Sequence, residues 1–319
     1  MKKQLSLLML LVALVLPGAS MAQSHNVVVG NWSSTSSSAF GGFHNTQACS
    51  WTQTLYLQSE MQGAGWIRAI ILDNRSTAPN VLDSAKIYLG TTTMTTHPTA
   101  AVSTWVPMND LTLVWSRNNY TIPGVRGILV IELDQPFYYD GTNTLALVIS
   151  KAAATNSSST MFGYVSTTNS FKYTAGTTES YCSFPTVAGT NSSYKENVIF
   201  VVTNAQTDNY CLPIEGVKPL VPNSNTAVGL SWNGVAGASY EVGCIGYNDS
   251  RTGMSTFTTS DTSYIFNGLV PDSLYCLYVR KQCSNGVYSE WDSVLVRTLC
   301  LPKSARCFFR STGCRKRAQ

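Results

Sequence analysis

The sequence predicts an all-β protein made of two sandwich domains that follow one another along the chain. Short apolar or alternating runs are separated by turn-forming residues, which is the pattern of antiparallel strands. The connecting segments are rich in Ser, Thr, Asn and Gly, and no stretch has the periodicity of an amphipathic helix. A chain of 319 residues is too long for one small sandwich and suits two domains.

The first 22 residues have the features of a secretion signal. Lys2 and Lys3 precede an apolar run that ends at Leu16, and Ala22 completes a small-residue site for cleavage before Gln23. The apolar run is shorter than the roughly 20 residues that cross a bilayer. We therefore expect a secreted or cell-surface protein without an integral membrane segment.

The net charge of +4 is unevenly distributed. Of the 21 Lys and Arg residues, two lie in the leader and six lie after Cys300, whereas all 17 acidic residues lie between these ends. The predicted folded part is mildly acidic, which argues against nucleic acid as a partner. Residues 301–319 lack any strand periodicity, and we expect them to form a basic, disordered tail.

Residues 24–204 are predicted to form the first sandwich, with a boundary in the polar stretch that ends at Tyr210. Loops are expected in polar stretches such as Thr91–Thr96. Apolar or alternating patterns predict strands at Thr54–Leu57, Ile67–Leu72, Ala85–Leu89, Leu111–Trp115, Gly127–Leu133, Thr144–Ile149 and Val198–Thr203.

Four segments of this first domain carry a family resemblance: Gln53–Tyr56, Gly65–Ile70, Lys86–Gly90 and Pro136–Leu145. They resemble a β-sandwich module of secreted, multi-domain proteins of Bacteroidota. The resemblance covers roughly residues 27–175 and implies a jelly-roll-like fold. Such modules occur beside fibronectin repeats in adhesins, peptidase-linked proteins and carbohydrate-active enzymes.

Residues 211–300 form the predicted second domain, which begins at one Cys-Leu-Pro triplet and ends at another. Between the triplets, the order of motifs resembles a fibronectin type III domain: Leu230-Ser231-Trp232, Tyr240-Glu241-Val242, Leu269-Val270-Pro271, Tyr275, and Ser289-Glu290-Trp291. The spacing from Leu269 to Tyr275 resembles a tyrosine corner, in which a phenol hydroxyl bonds to upstream backbone. We interpret these aromatic and aliphatic residues as core.

Nine cysteines in an exported chain indicate disulfides rather than metal ligands. Cys49 and Cys182 are the only thiols of the first domain, so they are expected to pair, the alternative being two buried thiols. In the second domain the expected pair is Cys211 with Cys283, because the first strand starts at the pole where the last hairpin turns. Cys244 and Cys276 face opposite sides of their sheet and should not pair. The spacing of Cys300, Cys307 and Cys314 does not match a zinc site.

Aromatic residues in loops or at strand ends are the predicted ligand contacts, because sugar rings stack their apolar faces on such side chains. The candidates in the first domain are Phe40, Phe43, Trp105, Tyr138 and Tyr139. The partner would be carbohydrate or an extracellular protein. The alternative for each ring is an ordinary place in the core.

No catalytic motif is recognised, and His25, His44 and His97 each lie in a polar, loop-like context. Glu132, Asp134 and Asp140 could form a carboxylate pair for glycoside hydrolysis or hold a structural calcium ion. A solvent-facing strand followed by a turn explains them as well. We therefore expect no enzyme activity and no cofactor.

Two functional hypotheses remain open from the sequence. In the first, the protein is an exported binding or adhesion protein whose N-terminal sandwich contacts the ligand and whose second domain is a spacer. In the second, it is a truncated remnant of a larger secreted peptidase or carbohydrate-active enzyme that lacks its catalytic domain.

Overall fold

The computed structural model describes residues 24–98, 105–154, 159–206, 209–221, 223–252, 254–283 and 287–300. The predicted leader and basic tail lie outside these residues. Regular structure is almost entirely β, as the sequence predicts, apart from the one-turn helix α1 (Gln58–Met61) and two 3₁₀ turns, Met108–Asp110 and Glu179–Tyr181. None of the described helices has the length and apolar character needed to cross a bilayer.

Eleven antiparallel strands form the first sandwich. They are β1 His25–Val29, β2 Ser37–Ser38, β3 Cys49–Tyr56, β4 Gly65–Asn74, β5 Asn80–Thr92, β6 Leu111–Ile122, β7 Gly127–Tyr139, β8 Thr144–Ala152, β9 Phe162–Gly176, β10 Thr190–Glu196 and β11 Val198–Thr203. One layer has the order β1-β11-β4-β7, and the other has the order β10-β9-β3-β8-β5-β6. The layers meet at β9, which pairs with β4 at Asn74 and Phe162.

The main core lies between these two layers, and it is built from the inward-facing apolar residues of both. The central strand β3 is buried on its outer face as well. Trp105 and Val106 cover that outer face, where Trp51 packs on Trp105 and Leu55 on Val106. The Gln53 side chain fixes the covering segment, because its amide donates to the Val106 carbonyl and accepts from the Val106 N–H.

Each of the seven strands that the apolar patterns predict is present, and β11 has the predicted bounds. The other six are longer than predicted, by the largest amounts at β3, which begins at Cys49, β5, which begins at Asn80, β6, which runs to Ile122, and β7, which runs to Tyr139. The patterns did not predict β1, β2, β9 and β10. Strands β9 and β10 were missed because they are rich in Ser, Thr and Asn, a composition that is typical of loops.

The second sandwich has seven strands in two sheets, β12-β13-β16 and β15-β14-β17-β18. Their bounds are β12 Lys218–Leu220, β13 Ala227–Ser231, β14 Ser239–Gly246, β15 Thr256–Thr259, β16 Ser263–Asn267, β17 Leu274–Gln282 and β18 Asp292–Arg297. Three strands facing four is the fibronectin type III arrangement that the motif order implied.

The core of the second sandwich contains the residues predicted for it. Leu230, Trp232, Tyr240, Val242, Leu277 and Val279 are buried together, and Tyr275 packs against them. The tyrosine corner is confirmed, because the Val270 N–H donates to the Tyr275 hydroxyl oxygen at 2.9 Å. The corner ties the start of β17 to the loop before it.

Both disulfides expected from the sequence are present. Cys49 and Cys182 are bonded with a Cα–Cα distance of 4.9 Å, and Cys211 and Cys283 with a distance of 5.8 Å. The first of them attaches the segment after β9 to β3. No disulfide joins Cys244 to Cys276, which lie on neighbouring strands with their side chains on opposite faces, as predicted.

The segment between the two sandwiches packs against the outer face of β4, β7 and β11. Tyr210 and Leu212 lie on an apolar patch that includes Ala69, Ile71 and Val201. The Arg68 guanidinium lies 4.7 Å from the centre of the Tyr210 ring. These contacts hold the chain against the first sandwich before the second one begins.

The Glu215 carboxylate, at the start of the second sandwich, accepts a hydrogen bond from a backbone N–H at the edge of β7. The Val130 N–H donates to Glu215 at 2.6 Å, and the Tyr210 hydroxyl donates to Glu132. Burial raises the pKa of Glu215. Exposed edge amides invite pairing with another chain, and here one of them is already engaged.

We expect the Cys49→Ser/Cys182→Ser variant to be markedly less stable than the wild type. The bridged residues are 133 positions apart, and releasing such a loop costs about 4 to 5 kcal/mol of unfolding free energy in the chain-entropy model. Urea titration followed by tryptophan fluorescence measures the change.

The matched control is Cys211→Ser/Cys283→Ser, which removes the bridge of the second sandwich and should leave the unfolding of the first unchanged. A Cys49→Ser/Cys182→Ser variant within about 1 kcal/mol of the wild type would contradict the expectation.

Candidate functional site

Three of the five predicted ligand contacts are buried, so the expectation that their rings are exposed is wrong. Phe43 lies in the main core, and Tyr139 is buried with its hydroxyl donating to the Asn143 carbonyl. Trp105 is 5% exposed because it covers the outer face of β3, and its indole N–H donates to the Val187 carbonyl. These three rings stabilise the fold and offer no free face.

Tyr138 is exposed, as the sequence suggested, at 52%. It lies opposite Trp66 across the β4–β7 pair, with 5.2 Å between the ring centroids. This pair forms a small aromatic patch on the layer that also carries the junction with the second sandwich.

Phe40 belongs to a larger group of half-buried rings that we call the aromatic cluster: Phe40, Tyr164, Tyr173 and Tyr194. Phe40 is stacked on Tyr194, with centroids 5.8 Å apart and planes 6° from parallel. Its centroid is 5.9 Å from that of Tyr173. Tyr164 meets Tyr194 edge to face at 4.6 Å.

The register of β3, β9 and β10 places these rings on one face of the sheet. Residues directly opposite in antiparallel strands share a face, and Tyr173 lies opposite Thr52. The Thr52 hydroxyl donates to the Gly42 carbonyl, which identifies this face as the one that the Phe40–His44 loop covers. Tyr164 shares its face with Glu196, its partner in β10.

Glu196 anchors the loop that carries Phe40. Its carboxylate accepts hydrogen bonds from the Gly42 N–H at 2.6 Å, the Thr54 hydroxyl at 2.6 Å and the Tyr56 hydroxyl at 3.3 Å. The group is fully buried, and desolvation raises its pKa. Gly42 has φ of 58°, a backbone conformation that glycine adopts without strain.

His44 lies directly beneath the cluster and is 1% exposed. Its ring centroid is 4.4 Å from that of Tyr173 and 5.3 Å from that of Phe40. Burial lowers its pKa to about 4, and the charge of Lys151 acts in the same direction. Nδ1 lies 3.5 Å from the Thr46 hydroxyl, whereas Nε2 has no hydrogen-bond partner among the described residues.

The strands that carry the cluster expose no charge along their described length. Their charged residues are Lys172, Lys195 and Glu196, and all three are buried. Lys172 lies 5.0 Å from the centre of the Trp105 ring on the opposite face, and Lys195 pairs with Glu60. Ser, Thr and Asn therefore supply the polar surface around the rings.

The three acidic residues considered for catalysis or calcium have separate structural roles. Glu132 accepts the Tyr210 hydroxyl at the junction, and Asp134 forms an ion pair with Arg117 that lowers the pKa of the carboxyl. Asp140 accepts backbone N–H groups of the following turn. Within the described residues, no group of three or more His, Cys, Asp or Glu side chains could hold a metal ion.

A concave surface lies in the second sandwich, where an open groove of about 530 Å³ is lined by residues that include parts of β15 and β16. Phe257, Tyr264 and Phe266 line it in mutual ring contact, and Cys244 is also one of its lining residues. Burial raises the pKa of the Cys244 thiol to about 11, so the thiol is not poised as a nucleophile.

Sequence reasoning identified Phe40 but missed the three tyrosines beside it. They lie in β9 and β10, which the Ser/Thr-rich composition presented as loops. The spacing of Tyr164, Phe171 and Tyr173 within a polar run was the available signal. Aromatic residues favour strands even among polar neighbours.

Parts of this chain are similar to solved structures. The fibronectin type III domain of the human collagen alpha-1(XX) chain is 20% identical, with 98% of that domain and 32% of this chain covered and a TM-score of 0.27. A redesigned β-sandwich protein is 20% identical over 31% of this chain and 100% of its own, with a TM-score of 0.27. FN3tt is 20% identical over 27% and 92%, with a TM-score of 0.24. No model of a known family and no curated protein matches the chain.

We expect Glu196→Gln to change the pH dependence of stability. The folded-state pKa of Glu196 is raised above 4.5 by burial. A raised pKa stabilises the fold below the unfolded value, and that stabilisation is lost as the pH rises through the folded value. Glutamine cannot ionise, so the wild type should lose stability relative to the variant as the pH rises above about 4.5.

Urea titrations of both proteins across this range measure the difference in unfolding free energy. Glu179→Gln, at an exposed position, is the control and should follow the wild type. A difference between wild type and Glu196→Gln that does not vary with pH would rule out burial of an ionisable Glu196.

Proposed function

We propose that this protein is an exported binding protein that contacts carbohydrate through the aromatic cluster. The observation that carries the proposal is the grouping of four half-buried rings, Phe40, Tyr164, Tyr173 and Tyr194, on one face of the first sandwich. Flat aromatic faces bordered by hydroxyl and amide groups match a sugar ring, which has apolar C–H faces and a polar edge.

The charge around the cluster supports an uncharged glycan as the ligand. The described parts of β9 and β10 expose Ser, Thr and Asn side chains, while their lysines and glutamate are buried. An acidic polysaccharide would be expected to meet Lys or Arg, because recognition of carboxylates and sulfates relies on charge-assisted hydrogen bonds. Neutral hexose or N-acetylhexosamine chains need no such partner.

The extracellular part of the proposal rests on the predicted leader and on the disulfides. The two disulfides between described residues, Cys49–Cys182 and Cys211–Cys283, suit an oxidising compartment. The second sandwich would act as a spacer, because its core residues serve packing and its tyrosine corner serves the fold. The role as a whole is adhesion or substrate attachment without catalysis.

We expect Tyr194→Ala to weaken the binding of neutral oligosaccharides about tenfold. The substitution removes the ring on which Phe40 stacks. A tenfold loss of affinity corresponds to about 1.4 kcal/mol of binding free energy, which is about the contribution of one aromatic contact. Isothermal titration of the mature chain with cellohexaose, mannohexaose and chitohexaose measures the affinity.

The matched control is Tyr138→Ala, which removes an exposed ring of the other layer and should leave the affinity unchanged. If Tyr138→Ala abolishes binding and Tyr194→Ala does not, the site lies on the Trp66–Tyr138 patch instead. Binding of a proline-rich peptide with no response to the sugars would replace carbohydrate by protein as the ligand class.

A further inference from the structure

His44 is a buried polar group whose hydrogen bonding is incomplete. The ring is 1% exposed, and its Nε2 atom has no partner among the described residues. Buried polar atoms are nearly always satisfied, so an exception calls for an explanation. His44 lies against two rings of the aromatic cluster, Tyr173 and Phe40, so a ligand held by that cluster would lie close to the imidazole.

Ring contacts hold Phe40 over His44. Phe40 meets His44 edge to face at 5.3 Å and stacks parallel to Tyr194 at 5.8 Å. The backbone N–H of Phe40 donates to the Ser38 hydroxyl, whereas the anchor to Glu196 acts two residues later, at Gly42. The Phe40 ring can therefore turn aside while Gly42 and His44 keep their places.

The parallel pair of Phe40 and Tyr194 is a suitable place for a flat ligand to enter. A sugar ring that enters between them would be stacked on both faces. The same movement takes Phe40 away from Tyr194 and from His44. It would bring the hydroxyl groups on the edge of the sugar towards the imidazole.

We infer that His44 is the specificity-determining polar residue of the aromatic cluster, and that its Nε2 atom hydrogen-bonds a hydroxyl of a sugar ring held between Phe40 and Tyr194. This inference rests on the proposed function. A neutral imidazole has one donor and one acceptor nitrogen, and a sugar hydroxyl can serve as either partner. The pair is thus satisfied in whichever tautomer His44 adopts.

The pKa of His44, lowered to about 4 by burial, agrees with this role. The imidazole stays neutral at the pH of most extracellular fluids, so it does not favour anionic ligands. Its ring also keeps an acceptor that a protonated ring would lose.

His44→Asn is the variant that tests the inference. His44 has φ of 36°, in the left-handed region that asparagine tolerates better than most residues. Asparagine shortens the side chain so that no polar atom reaches the Nε2 position. We expect its affinity for the best-binding sugar among cellohexaose, mannohexaose and chitohexaose to fall about tenfold.

The control is His25→Asn on β1, in the other layer, which should bind like the wild type. Urea titration of both variants measures stability separately. A His44→Asn protein that is folded and binds the sugar with unchanged affinity would overturn the inference.

Nitrogen-15 NMR of histidine-labelled protein gives a readout that a purely structural role would not move. The chain has three histidines, so His44→Asn and His25→Asn assign the signals. Titration with the best-binding sugar should shift the Nε2 resonance of His44 and leave that of His25 in place.

The outcomes separate this inference from the proposed function. If the sugar binds and Tyr194→Ala weakens it while the His44 Nε2 signal does not move, the inference fails and the proposed function stands. If none of the three sugars binds, the proposed function fails and the inference fails with it. A shift of the His44 signal that Tyr194→Ala abolishes supports both.

Discussion

The buried carboxylate of Glu196 is the contact on which the candidate site depends. It joins β10 to the Phe40–His44 loop and to β3, which lie far from it in the sequence, because Gly42, Thr54 and Tyr56 are 140 to 154 positions away. Glu196 is also the last residue of β10, directly before the chain passes to β11 in the other layer. One side chain thus holds the cluster loop, the central strand and the crossing between the layers in register.

Its chemistry suits that position because the three hydrogen-bonding partners are neutral. A buried ion pair must recover the desolvation cost of two charges, whereas a carboxyl with a raised pKa can be buried in its neutral form. Without it the Gly42 N–H and the Thr54 hydroxyl would lose their acceptor, whereas the Tyr56 hydroxyl would keep the Glu196 backbone carbonyl. A buried donor without a partner is destabilising. Removing the Glu196 carboxyl should therefore destabilise the fold, although this carboxyl forms no salt bridge. Its hydrogen bonds also fix the position of the loop that carries Phe40.

Much of the fold follows from local patterns, and most of the site does not. Apolar alternation predicts β4, β5, β7, β8 and β11, and motif order predicts the core and tyrosine corner of the second sandwich. Both disulfides follow from cysteine counting and strand geometry. Trp105 was misplaced because a sequence does not show that a central strand is buried on both faces. Covering that second face requires the segment around Trp105, whose flanking residues are those of a surface loop.

The failure at β9 and β10 has a physical cause that bears on function. A strand is recognisable from its sequence when one face is apolar and buried and the other is polar and solvated. A strand that presents a binding face must keep part of its inner face accessible, so Tyr replaces Leu or Val and Ser or Thr fills the remaining positions. Such a strand lacks the alternation of apolar and polar residues by which a strand is recognised in a sequence. Local rules are expected to fail at functional sites, and β9 and β10, two of the four strands that the patterns missed, are those that carry Tyr164, Tyr173 and Tyr194.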